Sequence, residues 1–176
     1  RLATLEQALD RSVPTVRAMP NTPALIQAGA TSLFANVAVS AQQKQLAEEI
    51  MRSVGLAIWL SDERLMDTVT ALSGSGPAYF FLVMEVMEKA AVKLGLPVDQ
   101  ARLLTLETAF GAAKMALESD ADAATLRRQV TSPGGTTEQA LRVLMEQGHL
   151  EQLFLDALTA AKLRSEELAA SMVIGS

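Results

Sequence analysis

The chain has no cysteine and a single histidine, and aromatic residues fill only 4% of its 176 positions. Without cysteine there can be no disulfide, no thiolate metal ligand and no thiol nucleophile, a composition that fits a reducing compartment. His149 stands beside Gly148 at a break between helical stretches, and nothing near it in sequence completes a triad, so it reads as a surface residue. The HExxH, CxxC and DxDxDG patterns are missing too, and no metal site is expected. The 15 basic and 20 acidic residues give a net charge of −5. The basic ones are scattered through helical patterns, so no patch neutralises a phosphate backbone and nucleic acid is not an expected partner. No apolar run approaches the ~20 residues that span a bilayer, and the first residues lack the basic and then apolar regions of a signal peptide. The expectation is no membrane partner and a cytoplasmic setting. The opening residue is Arg1 instead of methionine, which points to a piece of a longer chain.

What the chain has in quantity is apolar side chains, 49% of its residues, enough for one cored domain or a domain with an appendage. Up to about Leu60, "VPTVRAM" (Val13 to Met19), "ATSLFANVAV" (Ala30 to Val39) and "GLAIWL" (Gly55 to Leu60) carry β-branched residues bounded by Pro, Gly and Asn, the signature of strands. Between the last two, Leu46, Ile50 and Val54 recur every four residues in a helix stopped by Gly55. This βαβ-like piece is too small to cover both faces of a sheet, so it reads as the end of a larger α/β unit. From Ser61 onward the pattern is helical, with an interruption at "SGSGP" (Ser73 to Pro77) and a break near Gly148. Pro97 suits an early helical position and Asp99 a cap. The helices over Ala78 to Leu94 and Leu103 to Leu117 are apolar on more than one side, and a helix of that kind must be covered all round. A second copy of the chain is the expected cover.

Two glycine-rich stretches invite a chemical reading. "SGSGPAYFF" lacks the third glycine of a G-x-G-x-x-G loop and follows no strand, so it is taken as a helix start, with Gly76 as cap, Pro77 at the first position and small residues for close packing. In "SPGGTTEQAL" (Ser132 to Leu141), Thr136 and Gln139 have capping-box spacing, with Thr136 as N-cap. Capping alone does not require Gly134 and Gly135 together. Consecutive amides aimed from such a turn, at the positive end of a helix dipole, also make a carboxylate or phosphate site, and Ser132, Thr136 and Thr137 add hydroxyls. A plain capped turn and an anion site both fit these residues.

Taken in order and spacing, "RAMPNTP" (Arg17 to Pro23), "ALSGSGPAYFF", "GAAKM" (Gly111 to Met115) and "VTSPGGTTEQAL" closely resemble pyrroline-5-carboxylate reductase, the last enzyme of proline biosynthesis. The resemblance covers nearly the whole chain. It implies a mainly α fold: residues 1–60 as the C-terminal remnant of a Rossmann-type dinucleotide-binding domain, and 61–176 as an all-helical dimerisation and substrate-binding domain. It implies a homodimer, open to higher assembly, acting on pyrroline-5-carboxylate and proline, with NADPH or NADH bound mainly by a domain upstream of Arg1. Thr137 would be the catalytic hydroxyl beside the imine nitrogen. Ser132, Gly135, Thr136 and Thr137 would hold the substrate carboxylate, with Glu63 touching the product, and Asn21 and Gln129 would contact the cofactor. Two other readings stay open: a dimerising module without reductase activity, and a helical protein that binds a small anion.

Overall fold

The computed structural model describes residues 1–9 and 11–171. Helix α1 (Leu2–Leu9) leads into strand β1 (Val16–Met19), a 3-10 turn (Thr22–Ile26) and strand β2 (Gly29–Ala35). Helix α2 (Ala41–Arg52) and strand β3 (Gly55–Trp59) complete a sheet of order β1-β2-β3. β1 and β2 are antiparallel, with Val16 opposite Ala35, while β2 and β3 are parallel, with Thr31 opposite Ala57. The β2-α2-β3 unit is therefore the βαβ piece that the pattern predicts. The α1 helix is an addition to that reading, although Leu2, Leu5 and Leu9 have helical spacing.

β2 stops at Ala35, four residues before the expected end at Val39, because Asn36 closes the ladder. Its backbone N–H donates to the Thr15 carbonyl, its Oδ1 accepts from Thr15 N–H at 3.2 Å and its Nδ2 donates to the Val13 carbonyl at 2.7 Å. Val37 beyond it is fully exposed. α2 begins with a true capping box, in which the Ser40 hydroxyl accepts from Gln43 N–H and the Gln43 side chain accepts from Ser40 N–H. Its Glu48 accepts from the Trp59 indole at 2.8 Å, placing α2 over the Ala57 and Trp59 face of β3. That bond, and then Arg52, hold the pKa of the Glu48 carboxyl below the usual carboxylate range. Leu56 and Ile58, on the other face, are exposed.

The expected interruption at Ser73 to Pro77 is a π-turn followed by a bend at Ser75, not a loop between separate helices. Helix α3 (Leu65–Val69) passes through a π-helical turn (Thr70–Gly74) into α4 (Gly76–Lys93), so the rod runs from Leu65 to Lys93. Gly76 is the first residue of α4 instead of the cap before it. By length and composition alone this 29-residue helix could cross a bilayer, which corrects the expectation that no such run exists. The interruption hid it. α5 (Val98–Glu118) starts from Pro97 as N-cap, without a side-chain cap, and Asp99 sits inside the first turn. α6 (Ala123–Gln129), α7 (Thr136–Leu144) and α8 (His149–Ser171) follow, and the fold is mainly α with one small sheet. The bend before α8 is carried by Gln147 and Gly148, both at positive φ.

The chain divides into two compact units, Arg1–Ala78 with the chain from Leu155 onward, and Tyr79–Phe154. In the first, Leu33 and Met66 are fully buried, and the buried Asp67 carboxylate accepts from Arg1 at 3.1 Å and from the Ser165 hydroxyl at 2.8 Å. In the second, Ala101 and Thr105 are the only buried residues among those described. Phe80, Phe81, Leu103, Leu104 and Phe110 are all more than half exposed. A unit with so little core of its own needs external cover. Sedimentation at micromolar concentration is expected to give a dimer, with an interface above the ~2,000 Å² typical of obligate homodimers. A monodisperse monomer would refute this.

Candidate functional site

The turn between α6 and α7 begins with a capped helix. Asp122 accepts from Thr125 N–H at 2.7 Å at the start of α6, and this bond holds its carboxyl below the ordinary value. A lowered carboxyl stabilises the fold above its unfolded-state value, and this cap is lost as pH falls through the lowered one. After Gln129, the exposed last residue of α6, the Thr131 hydroxyl donates to the Arg127 carbonyl at 2.6 Å and ends the helix.

Ser132, Pro133, Gly134 and Gly135 then form a β-turn, closed by Gly135 N–H donating to the Ser132 carbonyl at 3.0 Å. Proline second and a glycine at φ +72° third are the type II pattern. A side chain on Gly134 would be strained by that φ, whereas a Cβ on Gly135 would lie 3.0 Å from the Ser132 carbonyl oxygen. The two glycines thus answer two different demands, backbone angle and close approach.

The turn also corrects the expected cap. Gly135 is the N-cap of α7, extended at φ −80° and ψ 171°, and makes no side-chain cap bond, while Thr136 is already helical. The type II turn delivers the chain into the helix one residue earlier than the capping-box spacing implies. The reach-back comes not from Gln139 but from Glu138, whose Oε2 accepts from Gly134 N–H at 2.8 Å. An acid at the third helical position was the available signal for it. The first bond of α7 runs from Gln139 N–H to the Gly135 carbonyl, so the amides of Thr136, Thr137 and Glu138 come before the ladder and point out of the helix N-terminus. Gly135 N–H is spent on the turn itself. Thr137 is half-buried, and Ser132 and Thr136 are exposed.

The other candidates lie in the first unit. Glu63 accepts from Arg17 at 2.9 Å and from Leu2 N–H at 2.9 Å, tying β1 and α1 together through one carboxylate oxygen. Arg17 has no local sequence signal beyond lying in "RAMPNTP". Beside Glu63, a hydrogen bond from Arg64 holds the Asp62 carboxyl below its ordinary value. Asn21 uses its side chain to join two elements: Nδ2 donates to the Ser73 carbonyl at 3.2 Å and Oδ1 accepts from Ala30 N–H at 2.9 Å. One N–H and one lone pair of that amide are left over. Cavities of about 410 and 420 Å³ lie along α2 and around Arg1, Arg64 and Lys162, and no candidate residue borders either. Among the described residues no group of acids and histidine could hold a metal ion.

Residues 63–168 match the family described as pyrroline-5-carboxylate reductase dimerisation. The chain belongs to this family. It is 54% identical over 167 residues to the pyrroline-5-carboxylate reductase of Pseudomonas aeruginosa, covering 95% of this chain and 61% of that protein. With the enzyme of Pasteurella multocida the identity is 44% over 165 residues, 93% of this chain and 60% of the relative. Among solved structures, a pyrroline-5-carboxylate reductase from Coxiella burnetii superposes with a TM-score of 0.89 at 56% identity, over 93% of this chain and 60% of that one. The Plasmodium falciparum pyrroline carboxylate reductase with NADP bound gives 0.85 at 32% identity, over 94% of this chain and 63% of that one. The chain thus spans about three fifths of the length of these relatives. The dimerisation match also supports homodimer formation.

Gly134→Ala is expected to cost about 1–2 kcal/mol by forcing an L side chain into the left-handed region. Thr136→Ala, at a position that caps nothing, should change stability by less than about 0.5 kcal/mol. Thermal unfolding of the two variants side by side checks both, and a marked loss in Thr136→Ala would restore it as the cap.

Proposed function

We propose that this chain is the dimerising and substrate-holding part of a reductase that converts the imine of 1-pyrroline-5-carboxylate to L-proline with NADPH or NADH. The observation that carries the reading is the turn: outward-pointing amides at the positive end of α7, next to a half-buried Thr137 hydroxyl, in a chain 54% identical to a pyrroline-5-carboxylate reductase. In this reading residues 61–176 form the dimerisation and substrate domain, of which 172–176 lie outside the described residues. Residues 1–60 end a dinucleotide-binding domain, which accords with the exposed Leu56 and Ile58 on the open face of β3. The partner subunit, not a bilayer, covers the apolar rod, and the setting is cytoplasmic.

The substrate carboxylate is held by the amides of Thr136, Thr137 and Glu138, where the α7 dipole favours negative charge. Gly134 and Gly135 shape the turn, and Ser132 closes it through its carbonyl. Glu138 presents its own negative charge at Gly134, so the ligand carboxylate must approach from the helix side of the turn. The Thr137 hydroxyl then orients the ring nitrogen and takes no part in electron transfer. A neutral hydroxyl does this without competing for hydride. The bound nicotinamide supplies the hydride. The described residues offer its phosphates no glycine-rich strand-to-helix loop, so Asn21 and Gln129 are contacts at the margin of a cofactor held mainly elsewhere. Catalysis by this chain is positioning: fixing the carboxylate fixes the C=N bond. Glu63, already shared between Arg17 and Leu2, contributes to the product end of the site.

In a full-length reductase containing this chain, Thr137→Ala removes one hydrogen bond to a charging group, worth ~1.5–3 kcal/mol, and should lower kcat/KM by roughly ten- to two-hundred-fold with little change in Tm. Steady-state kinetics and melting measured together test it, and full activity in Thr137→Ala would remove the catalytic role. The 176-residue chain alone should show no saturable NADPH binding by calorimetry. Tight stoichiometric binding would place the cofactor site inside it.

A further inference from the structure

Pro77 is the second residue of α4, just after the π-turn and the bend at Ser75, and an α-helix running unbroken through this part of the Leu65–Lys93 rod would need its N–H. Residue 77 would donate to the Ser73 carbonyl, but proline has no N–H and its ring crowds the carbonyl four residues back. The helix resolves this by widening. Thr70–Gly74 is a π-turn closed by Ser75 N–H donating to the Thr70 carbonyl at 2.9 Å, and Ala78 N–H donates to the Ser75 carbonyl at 3.0 Å. The Ser73 carbonyl accepts instead from Asn21 Nδ2, and the Ser73 hydroxyl donates to the Ala30 carbonyl at 3.4 Å. The same Asn21 receives Ala30 N–H, so Ser73, Asn21 and Ala30 form a closed ring of bonds between the rod and the start of β2. A Cβ on Gly74 would lie 2.6 Å from Met19 Cε at the end of β1, so a side chain there would displace the tip of that methionine.

We infer that Pro77 is a positioning residue for the Pro20–Pro23 segment: by withholding an N–H it reserves the Ser73 carbonyl for Asn21, and this fixes the Asn21 amide and backbone. The inference extends the proposed function, because it rests on Asn21 lying at the margin of the nicotinamide site. The glycines and proline of "SGSGP" are then no phosphate loop, and they do more than start α4. They are the fitting by which the long helix sets a cofactor-side residue 52 positions earlier in the chain.

The first test needs only the 176-residue chain. In Pro77→Ala the new N–H competes for the Ser73 carbonyl, and the Asn21 side-chain amide protons should exchange with solvent about two- to ten-fold faster by NMR, the equivalent of one ordinary hydrogen bond. Asn21→Ala assigns the signal by its loss, and circular dichroism checks that both variants fold. In the full-length reductase, each variant should raise the KM for NAD(P)H several-fold and leave the KM for the imine in place. The double variant should be no worse than Asn21→Ala alone. Unchanged exchange in Pro77→Ala overturns the positioning role. Faster exchange with an unchanged cofactor KM keeps the link between Pro77 and Asn21 and overturns the placement of Asn21 beside the cofactor.

Discussion

Helices that present leucine, valine and phenylalanine on nearly every side cannot rest in water, and the need to cover α4 and α5 governs the rest of this structure. The unit from Tyr79 to Phe154 buries Ala101 and Thr105 and little else among its described residues, so its stability is inseparable from association. The family match names that association as dimerisation. The turn that holds the candidate site belongs to this same unit, so in the proposed function assembly and ligand binding draw on one scaffold.

The site itself is built mostly from backbone. Proline and two glycines bend the chain so that Gly135 N–H closes the turn and the next three amides face outward. A site made of amides is insensitive to most side-chain changes, so in the proposed function the Thr137 hydroxyl is the side chain on which the chemistry rests. It also makes the local charge matter: Glu138 sits at the turn with a carboxylate of its own, a feature that disfavours a doubly charged phosphate more than a single carboxylate. This argues against a general small-anion binder and for a ligand with one carboxylate.

Much of the fold was legible in the sequence, because periodicity and turn residues are local signals. The β2-α2-β3 unit, the long helices and the two over-apolar faces follow from the spacing of apolar residues alone. What was not legible depended on partners distant in sequence. Asn36 ended β2 through bonds to Val13 and Thr15, and the π-turn carried the rod across "SGSGP" because Ser73 had Asn21 to accept from. At the site, the motif indicated the turn and its threonines, but a capping-box spacing cannot show that a type II turn moves the N-cap to Gly135. The buried Asp67, bonded to Arg1 and Ser165, had no sequence signature at all.

The central claim is that the first-turn amides of α7 hold a single carboxylate. Titrating the ¹⁵N-labelled dimer with L-proline and following backbone amide shifts tests it directly. The account predicts saturable shifts centred on Thr136, Thr137 and Glu138, with inorganic phosphate producing weaker ones at the same amides. Shifts absent from these residues, or stronger with phosphate than with proline, would contradict it.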